Sequence, residues 1–345
     1  MALLEQTVGD ALRAAAAEAA GHIAIVEGTP GPGPRRKLTY AELLAAAEQV
    51  ARALLARFRP GEHVAVWSAN SLEWILLEYG AGLAGLVLVT VNPAYEAAEL
   101  GYVLRQSRSA GLIHAVSYRR KSMACNPRRG RVQLPDLREV VALEDWEEFL
   151  AAADPDTTLP AVRPHDFAQI QYTSGTTGFP KGVLLHHHGL VNNARFTMQR
   201  MGGGRTDVAV WPLPLFHTAG CGMGVLGALS ARATLVYLTR FDPALHLELL
   251  ESERATITCG VPTMFIAMLG HPDSTSRDLS SLRVGGAGGA PVPIEVAGSW
   301  SADSACGSSL CSVPPSARRS SARPAWMTRR THASARSGPR CHTPR

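Results

Sequence analysis

Long apolar runs, paired cysteines and evenly spread charge are all missing from this chain. Its longest apolar stretch, Tyr79 to Val91, is Gly-rich and too short to cross a bilayer, so it reads as a buried strand. The first residues, Met1-Ala2-Leu3-Leu4-Glu5, carry no basic region and meet an acid at once, unlike a secretory signal. The six cysteines include no C-x-x-C pair and no metal-ligand spacing, so reduced thiols and a cytoplasmic setting are expected. No repeat divides the 345 residues, a length that holds one large domain or two of ordinary size.

The net charge of +5 is concentrated rather than general. Residues 297–345 contain eight Arg, no Lys and the single acid Asp303, and residues 115–131 add six basic groups without an acid. The chain before residue 297 holds 26 basic residues against 28 acidic ones. A basic protein invites a nucleic-acid reading, but here the body is mildly acidic, so no nucleic-acid partner is expected.

Hydrophobic periodicity switches repeatedly between helix and strand. Leu43, Leu44, Ala47, Val50, Leu54 and Phe58 recur at helical spacing until Pro60-Gly61 breaks the segment. Strands are expected at His63–Trp67, Leu86–Val91 and Gly111–Ile113. Between them lie a helix capped by Asn70 and Ser71 and another over Tyr95–Gln106. Strands recur at Asp166–Tyr172, Val183–Leu185, Val208–Trp211, Thr234–Leu238 and Ala255–Cys259. Asp242-Pro243 reads as an N-cap with Pro at the first helical position, and a further helix runs from near Pro262 to Gly270. Alternation of this kind predicts an α/β fold with mainly parallel, helix-covered sheets. His186-His187-His188 predicts a helix start rather than a metal site, because adjacent helical residues point about 100° apart. The Ala-rich segment Ala11–Ala20, broken by Arg13 and Glu18, reads as an ordinary helix and not a membrane one.

The densest chemistry lies in Tyr172-Thr173-Ser174-Gly175-Thr176-Thr177-Gly178-Phe179-Pro180-Lys181-Gly182. Small residues expose backbone N–H groups, hydroxyls add short donors, and Lys181 adds a long cation. That set suits polyphosphate oxygens. It is not a Walker loop, since Pro180 precedes Lys181 and Gly182 follows it. A flexible Gly/Ser/Thr surface loop is the plain alternative, but all nine specified positions match T-S-G-T-T-G-x-P-K-G. The stretch therefore resembles the phosphate loop of the AMP-forming, adenylate-forming enzymes: acyl-CoA synthetases, luciferases and peptide-synthetase adenylation domains.

The resemblance implies that Thr173, Ser174, Gly175, Thr176, Thr177, Gly178 and Lys181 hold ATP, with Thr173 also near Mg²⁺. Trp211-Pro212-Leu213-Pro214-Leu215-Phe216-His217-Thr218-Ala219-Gly220 resembles the family's P-L-F-H-x-x-G segment. His217 would then sit beside the acyl carboxylate and share catalysis with Lys181; read alone, it would be an ordinary core histidine. Amino-acid-activating members typically carry Asp at this position, so a fatty or similar apolar acid is implied. Gly285-Gly286-Ala287-Gly288-Gly289-Ala290-Pro291 resembles the family's adenine-binding turn and brings Gly288, Gly289, Ala290 and Pro291 to the nucleotide. A Gly-rich strand end is the alternative there. Gly260-Val261-Pro262-Thr263 resembles a border of the acyl pocket and serves equally as a helix start.

The implied reaction joins a carboxylate to ATP, releases pyrophosphate, and passes the acyl group to CoA. A ligase with another acyl acceptor and a non-catalytic nucleotide- or acyl-binding remnant stay open. The resemblance covers residues 5–296, most of the family's large N-terminal domain. The Y/F-G-x-T-E motif, the T-G-D motif and the small domain with its lysine are not found, so impaired turnover is expected. Residues 297–345 are rich in Arg, Ser and Pro and are expected to be irregular. Codons permitted for Arg323–Arg345, read one register over, spell a string resembling the residues just after Y/F-G-x-T-E in fatty-acyl-CoA synthetases. Trp326-Met327 has the single coding TGGATG, which forces Asp in that string. The tail is therefore expected to be a frame-shifted reading.

Overall fold

A computed structural model describes residues 2–31, 33–119, 121–123, 134–173, 180–292 and 310–312. The first elements are α1 (Val8–Ala19), β1 (Ile23–Gly28), β2 (Lys37–Thr39) and α2 (Tyr40–Leu55). Two capping boxes start these helices, Thr7 with Asp10 and Thr39 with Glu42. Each satisfies two backbone donors that a helix terminus leaves over. There follow β3 (His63–Trp67), α3 (Leu72–Ala84), β4 (Val87–Val91), α4 (Ala97–Gln106) and β5 (Gly111–His114). The short β6 (Ser117–Tyr118), β7 (Lys121–Ser122) and β8 (Glu139–Ala142) lead to α5 (Trp146–Ala151). A hairpin of β9 (Phe167–Thr173) and β10 (Lys181–His186) precedes α6 (His187–Arg200). The remaining elements are β11 (Val208–Trp211), α7 (Leu226–Ala231), β12 (Thr234–Leu238), α8 (Pro243–Ser252), β13 (Ile257–Gly260), α9 (Pro262–Leu269), β14 (Val284–Ala287) and β15 (Leu310–Ser312).

Two sheets form. One runs β15-β14-β13-β11-β12-β1-β2 and the other β10-β9-β4-β3-β5-β8. Their interior pairings are parallel; β2, β15 and β10 add antiparallel edges. Both faces of the central strands are buried, which explains their nearly unbroken apolar sequences. In β12, Leu235 and Tyr237 face one core and Val236 and Leu238 another. In β4, Leu88 faces the shared core while Val87, Val89 and Val91 face α4. The shared core collects α1, α2, α3, α6 and α7 between the sheets, with α8 and α9 outside the first and α4 outside the second. The expected α/β class is therefore present, with helices inside as well as outside. No helix among the described residues is long and apolar enough to cross a membrane.

The structure changes three expectations. The apolar run Tyr79–Val91 is not one strand: its first half completes α3, Gly85 turns the chain at φ 67°, and only Val87–Val91 is strand, in agreement with the separate expectation of a strand at Leu86–Val91. Depth at this position buries a helix on all sides, so its composition matches that of a strand. Ser71 alone caps α3, by accepting from Trp74 N, and Asn70 has a different task. Finally, Leu310–Ser312 is not irregular, because it pairs with Gly286, Gly285 and Val284. An open edge offers backbone groups to any extended segment, whatever its composition. The rest of the tail lies outside the described residues.

Candidate functional site

The carboxyl ends of both parallel sheets meet along one seam, and one side chain ties them. Asn70, just beyond β3, donates to Leu213 O (3.1 Å) and Leu238 O (2.9 Å) and accepts from Leu215 N (2.8 Å). It uses both ends of its amide to fix the segments that leave β11 and β12. Ligands in parallel α/β sheets collect at such strand ends.

Thr173 closes β9 and Lys181 opens β10, and the two are direct ladder partners. Both are exposed. The hairpin thus presents a hydroxyl and an ammonium at the mouth of the intervening loop. Its base is held by Tyr102, which donates to Pro180 O (3.2 Å), and by Tyr172, which donates to Val103 O (3.2 Å). Burial pushes the Tyr172 phenol up to about 12, so it remains a donor. Ser174, Gly175, Thr176, Thr177 and Gly178 lie outside the described residues.

The segment after β11 folds back on itself. Trp211 Nε1 donates to Ala219 O (2.7 Å), and a Cβ on Gly220 would overlap the Pro214 carbonyl. Only glycine fits that return, which gives the last residue of the P-L-F-H-x-x-G pattern a steric reason. His217 stands exposed at the turn, its Nδ1 accepting from Ala219 N (3.1 Å). In the neutral ring this places the proton on Nε2, making it a donor for an anion.

A chain of polar side chains runs beneath this turn. Thr218 donates to Gln171 Oε1, Gln171 Nε2 to Gln169 Oε1 (2.8 Å), and Gln169 Nε2 to Glu78 Oε1 (2.7 Å). Burial pushes the Glu78 carboxyl up to about 8, against the smaller effect of the Gln169 hydrogen bond. Sequence reading missed this chain and the role of Asn70. Nothing local distinguishes a glutamine in a strand or an asparagine before a helix as a bridge.

The Gly-rich segment divides. Val284–Ala287 is strand, and the turn follows at Gly288 and Gly289, where Gly289 has φ 82°. Gly288, Gly289, Ala290 and Pro291 are all exposed. With Met223, Thr197 and Arg200 opposite, Gly286–Ala290 lines a cleft of about 430 Å³. A second cleft of about 450 Å³ opens between the sheets and is lined by Asn70, Pro93, Tyr118, Phe216, Arg240 and Met264, among others. Phe216, just before His217, lines the second cleft, and Met223 lines the first. His217 lines neither cleft. Thr173, Lys181 and His217 are thus linked through the Gln171–Thr218 bond, while Gly288, Gly289 and Ala290 border a separate opening and Pro291 lines neither cleft.

The family model described as AMP-binding enzyme matches residues 12–312. The chain belongs to the AMP-binding enzyme family. Among relatives of this chain, Bacillus subtilis YngI, whose name proposes an acyl-CoA synthetase, is 36% identical over 296 residues, covering 77% of this chain and 53% of the relative. The mitochondrial medium-chain acyl-CoA ligase ACSF2 of Danio rerio is 33% identical, covering 75% of this chain and 48% of its own length. The chain thus spans about half the length of these curated relatives. The inhibitor-bound N-terminal domain of FACL13 from Mycobacterium tuberculosis superposes with a TM-score of 0.75 and 29% identity, covering 86% of this chain and 72% of that one.

The three adjacent histidines divide as well. His187 is buried, its Nδ1 accepting from Val8 N (3.3 Å), and burial pushes its imidazole down to about 4. His186 caps α6 by accepting from Gly189 N (2.9 Å), which matches the expected helix start. His186 and His188 nevertheless meet, with His165 as the third ring. The expectation that the run holds no metal overlooked His165, whose distance in sequence hides its place beside the helix start.

Proposed function

We propose that this chain is the nucleotide- and acid-binding domain of an AMP-forming acyl-CoA synthetase that acts on a fatty or similar apolar carboxylic acid. The observation that carries this reading is the Thr173–Lys181 ladder pair beside the loop of His217, joined through Gln171 and Thr218. ATP phosphates would lie against the hairpin mouth, where Lys181 adds a point charge and Ser174–Gly178 add their donors. Gly288, Gly289, Ala290 and Pro291 supply bare backbone for adenine and ribose. The Thr173 hydroxyl is a hard oxygen donor of the kind Mg²⁺ accepts; that ion usually draws its other ligands from phosphate, carboxylate and water. Bound Mg²⁺ would neutralise phosphate charge.

Attack of a carboxylate on a phosphate brings two anions together, so positioning and positive potential dominate the chemistry. His217 Nε2–H donates toward the carboxylate, and the absence of an acid there disfavours an amino-acid ammonium. The matched relative named for medium-chain acids agrees with an apolar substrate. CoA is the expected acceptor, and a cytoplasmic setting, where ATP and CoA meet, accompanies this reading. The deciding assay supplies ATP, Mg²⁺ and a medium- or long-chain fatty acid, follows exchange of labelled pyrophosphate into ATP, then adds CoA and follows AMP and thioester. Fatty-acid-dependent exchange is expected at a low rate, in keeping with the impaired turnover expected without the Y/F-G-x-T-E acid. No ATP binding by the folded chain, or exchange driven equally by free amino acids, would overturn the proposal.

A further inference from the structure

Away from the phosphate hairpin, three imidazoles gather where the N-terminal segment crosses the start of α6. His165 comes from the turn before β9, His186 ends β10, and His188 lies in the first turn of α6. One ligand atom from each ring lies within 4.8 Å of the other two. Ring centroids are 4.9 Å apart for His165 and His188, 5.7 Å for His165 and His186, and 5.8 Å for His186 and His188.

Glu5 reaches two of the three rings, with one carboxylate oxygen 3.3 Å from His188 Nε2 and the other 3.5 Å from His165 Nε2. Its backbone is anchored beside the cluster, since Leu4 exchanges two 2.9 Å hydrogen bonds with the Asn192 amide. His188 Nε2 is buried and makes no hydrogen bond, so the nearby Glu5 oxygen does not satisfy it as an acceptor.

Three imidazoles and one carboxylate are a zinc-type donor set. Around a tetrahedral ion with bonds of about 2.1 Å, neighbouring donor atoms lie about 3.4 Å apart. The two Glu5–imidazole separations, one from each carboxylate oxygen, are close to that edge, and imidazole donor atoms at the 4.8 Å limit need to close by about 1.4 Å. We propose that His165, His186, His188 and Glu5 form a binding site for a divalent transition-metal ion, zinc above all.

Such an ion would fasten the N-terminal segment, the turn before β9 and the start of α6 to one point. It would sit at the end of β10 opposite Lys181, separate from the nucleotide chemistry. His186 makes the coupling specific. Its Nδ1 now accepts from Gly189 N, so the neutral ring carries its proton on Nε2. Ligation at either nitrogen displaces that cap, and metal binding therefore loosens the first turn of α6 while tightening the N-terminal segment. His187 takes no part, because it points inward to Val8 N.

The test titrates the 345-residue chain with Zn²⁺ alone by calorimetry and with Co²⁺ as a visible-absorption probe, thiols kept reduced. His165→Ala changes an exposed side chain, and His186→Asn keeps a helix cap while removing the imidazole. One ion per chain is expected, with the absorption of a four-coordinate Co²⁺ site. Each variant should bind at least about tenfold more weakly, with the helical circular dichroism retained. Absence of binding to the parent chain would overturn the proposal. So would unchanged affinity in the combined His165→Ala/His186→Asn variant, which would assign the ion to cysteines or other groups.

Discussion

Gln171 accepts a hydrogen bond from Thr218, 47 residues further along the chain. Gln171 lies two residues before Thr173, and Thr218 directly follows His217. One bond therefore links the strand that feeds the proposed phosphate loop to the turn that presents the imidazole. Because the Gln171 amide also donates to Gln169, and Gln169 to buried Glu78, the linkage is anchored in α3. Holding the end of β9 and the His217 turn together in this way would lower the ordering cost of the binding proposed for them.

Lys181→Ala should weaken ATP binding by about 1.5–3 kcal/mol, the range for a charge-assisted contact. Lys181 is exposed at the start of β10, so the thermal midpoint of the unliganded protein should hardly move. Calorimetric titration of both proteins with ATP checks this, and equal affinity would remove Lys181 from the site.

His217→Ala should leave folding stability within about 0.5 kcal/mol, since the ring is exposed and bonds only locally. Fatty-acid-dependent pyrophosphate exchange should nevertheless fall by about tenfold or more, the loss of one donor aimed at reacting anions. A variant with full exchange activity would show that the imidazole does not face the acid.

Asn70→Ala removes three hydrogen bonds between the ends of the two sheets and leaves Leu213 O, Leu238 O and Leu215 N to find other partners. We expect a loss of about 2–3 kcal/mol, read as a lower urea midpoint with unchanged slope. Asn70→Asp should not restore it, because a carboxylate cannot donate to two carbonyls.

Glu78 makes stability depend on pH with a definite sign. Burial raises its folded value to about 8 from the ordinary 4.5, so the folded protein keeps a proton that the unfolded chain releases. Its contribution is complete below about 4.5 and is lost as pH rises toward and through about 8. Within that window it should cost about 1.4 kcal/mol per pH unit. Glu78→Gln keeps an acceptor for Gln169 and removes the titration. Stability curves of the variant and parent should diverge as pH rises from 5 to 8, the variant being the flatter; parallel curves would show that Glu78 does not carry the slope.

The helices and strands were largely legible because their signals are local. Asp242 caps α8 through Leu245 N, and Thr234–Leu238 is strand as its residues suggest. The error at Tyr79–Val91 has the same origin, since local apolarity reports burial and not the element buried. Leu310–Ser312 failed for a different reason: an edge pairs through backbone, which composition does not describe.

The sequence by itself determined the family and the chemical inventory, because Thr173–Gly182, Pro214–Gly220 and Gly285–Pro291 are contiguous motifs whose spacing survives without coordinates. It also placed Lys181 near Thr173, since a short loop allows few other arrangements. Only the tertiary structure decided that Asn70 would join the sheet ends, that Gln171 would receive Thr218, and that His165 would complete a group with His186 and His188. Each of these contacts depends on where strands end in space, and that is fixed by sheet order and by burial of both sheet faces around a shared helical core. Chain neighbours leave no trace of such meetings, because hydrogen bonds and ligand sets act over a few ångströms whatever the distance in sequence.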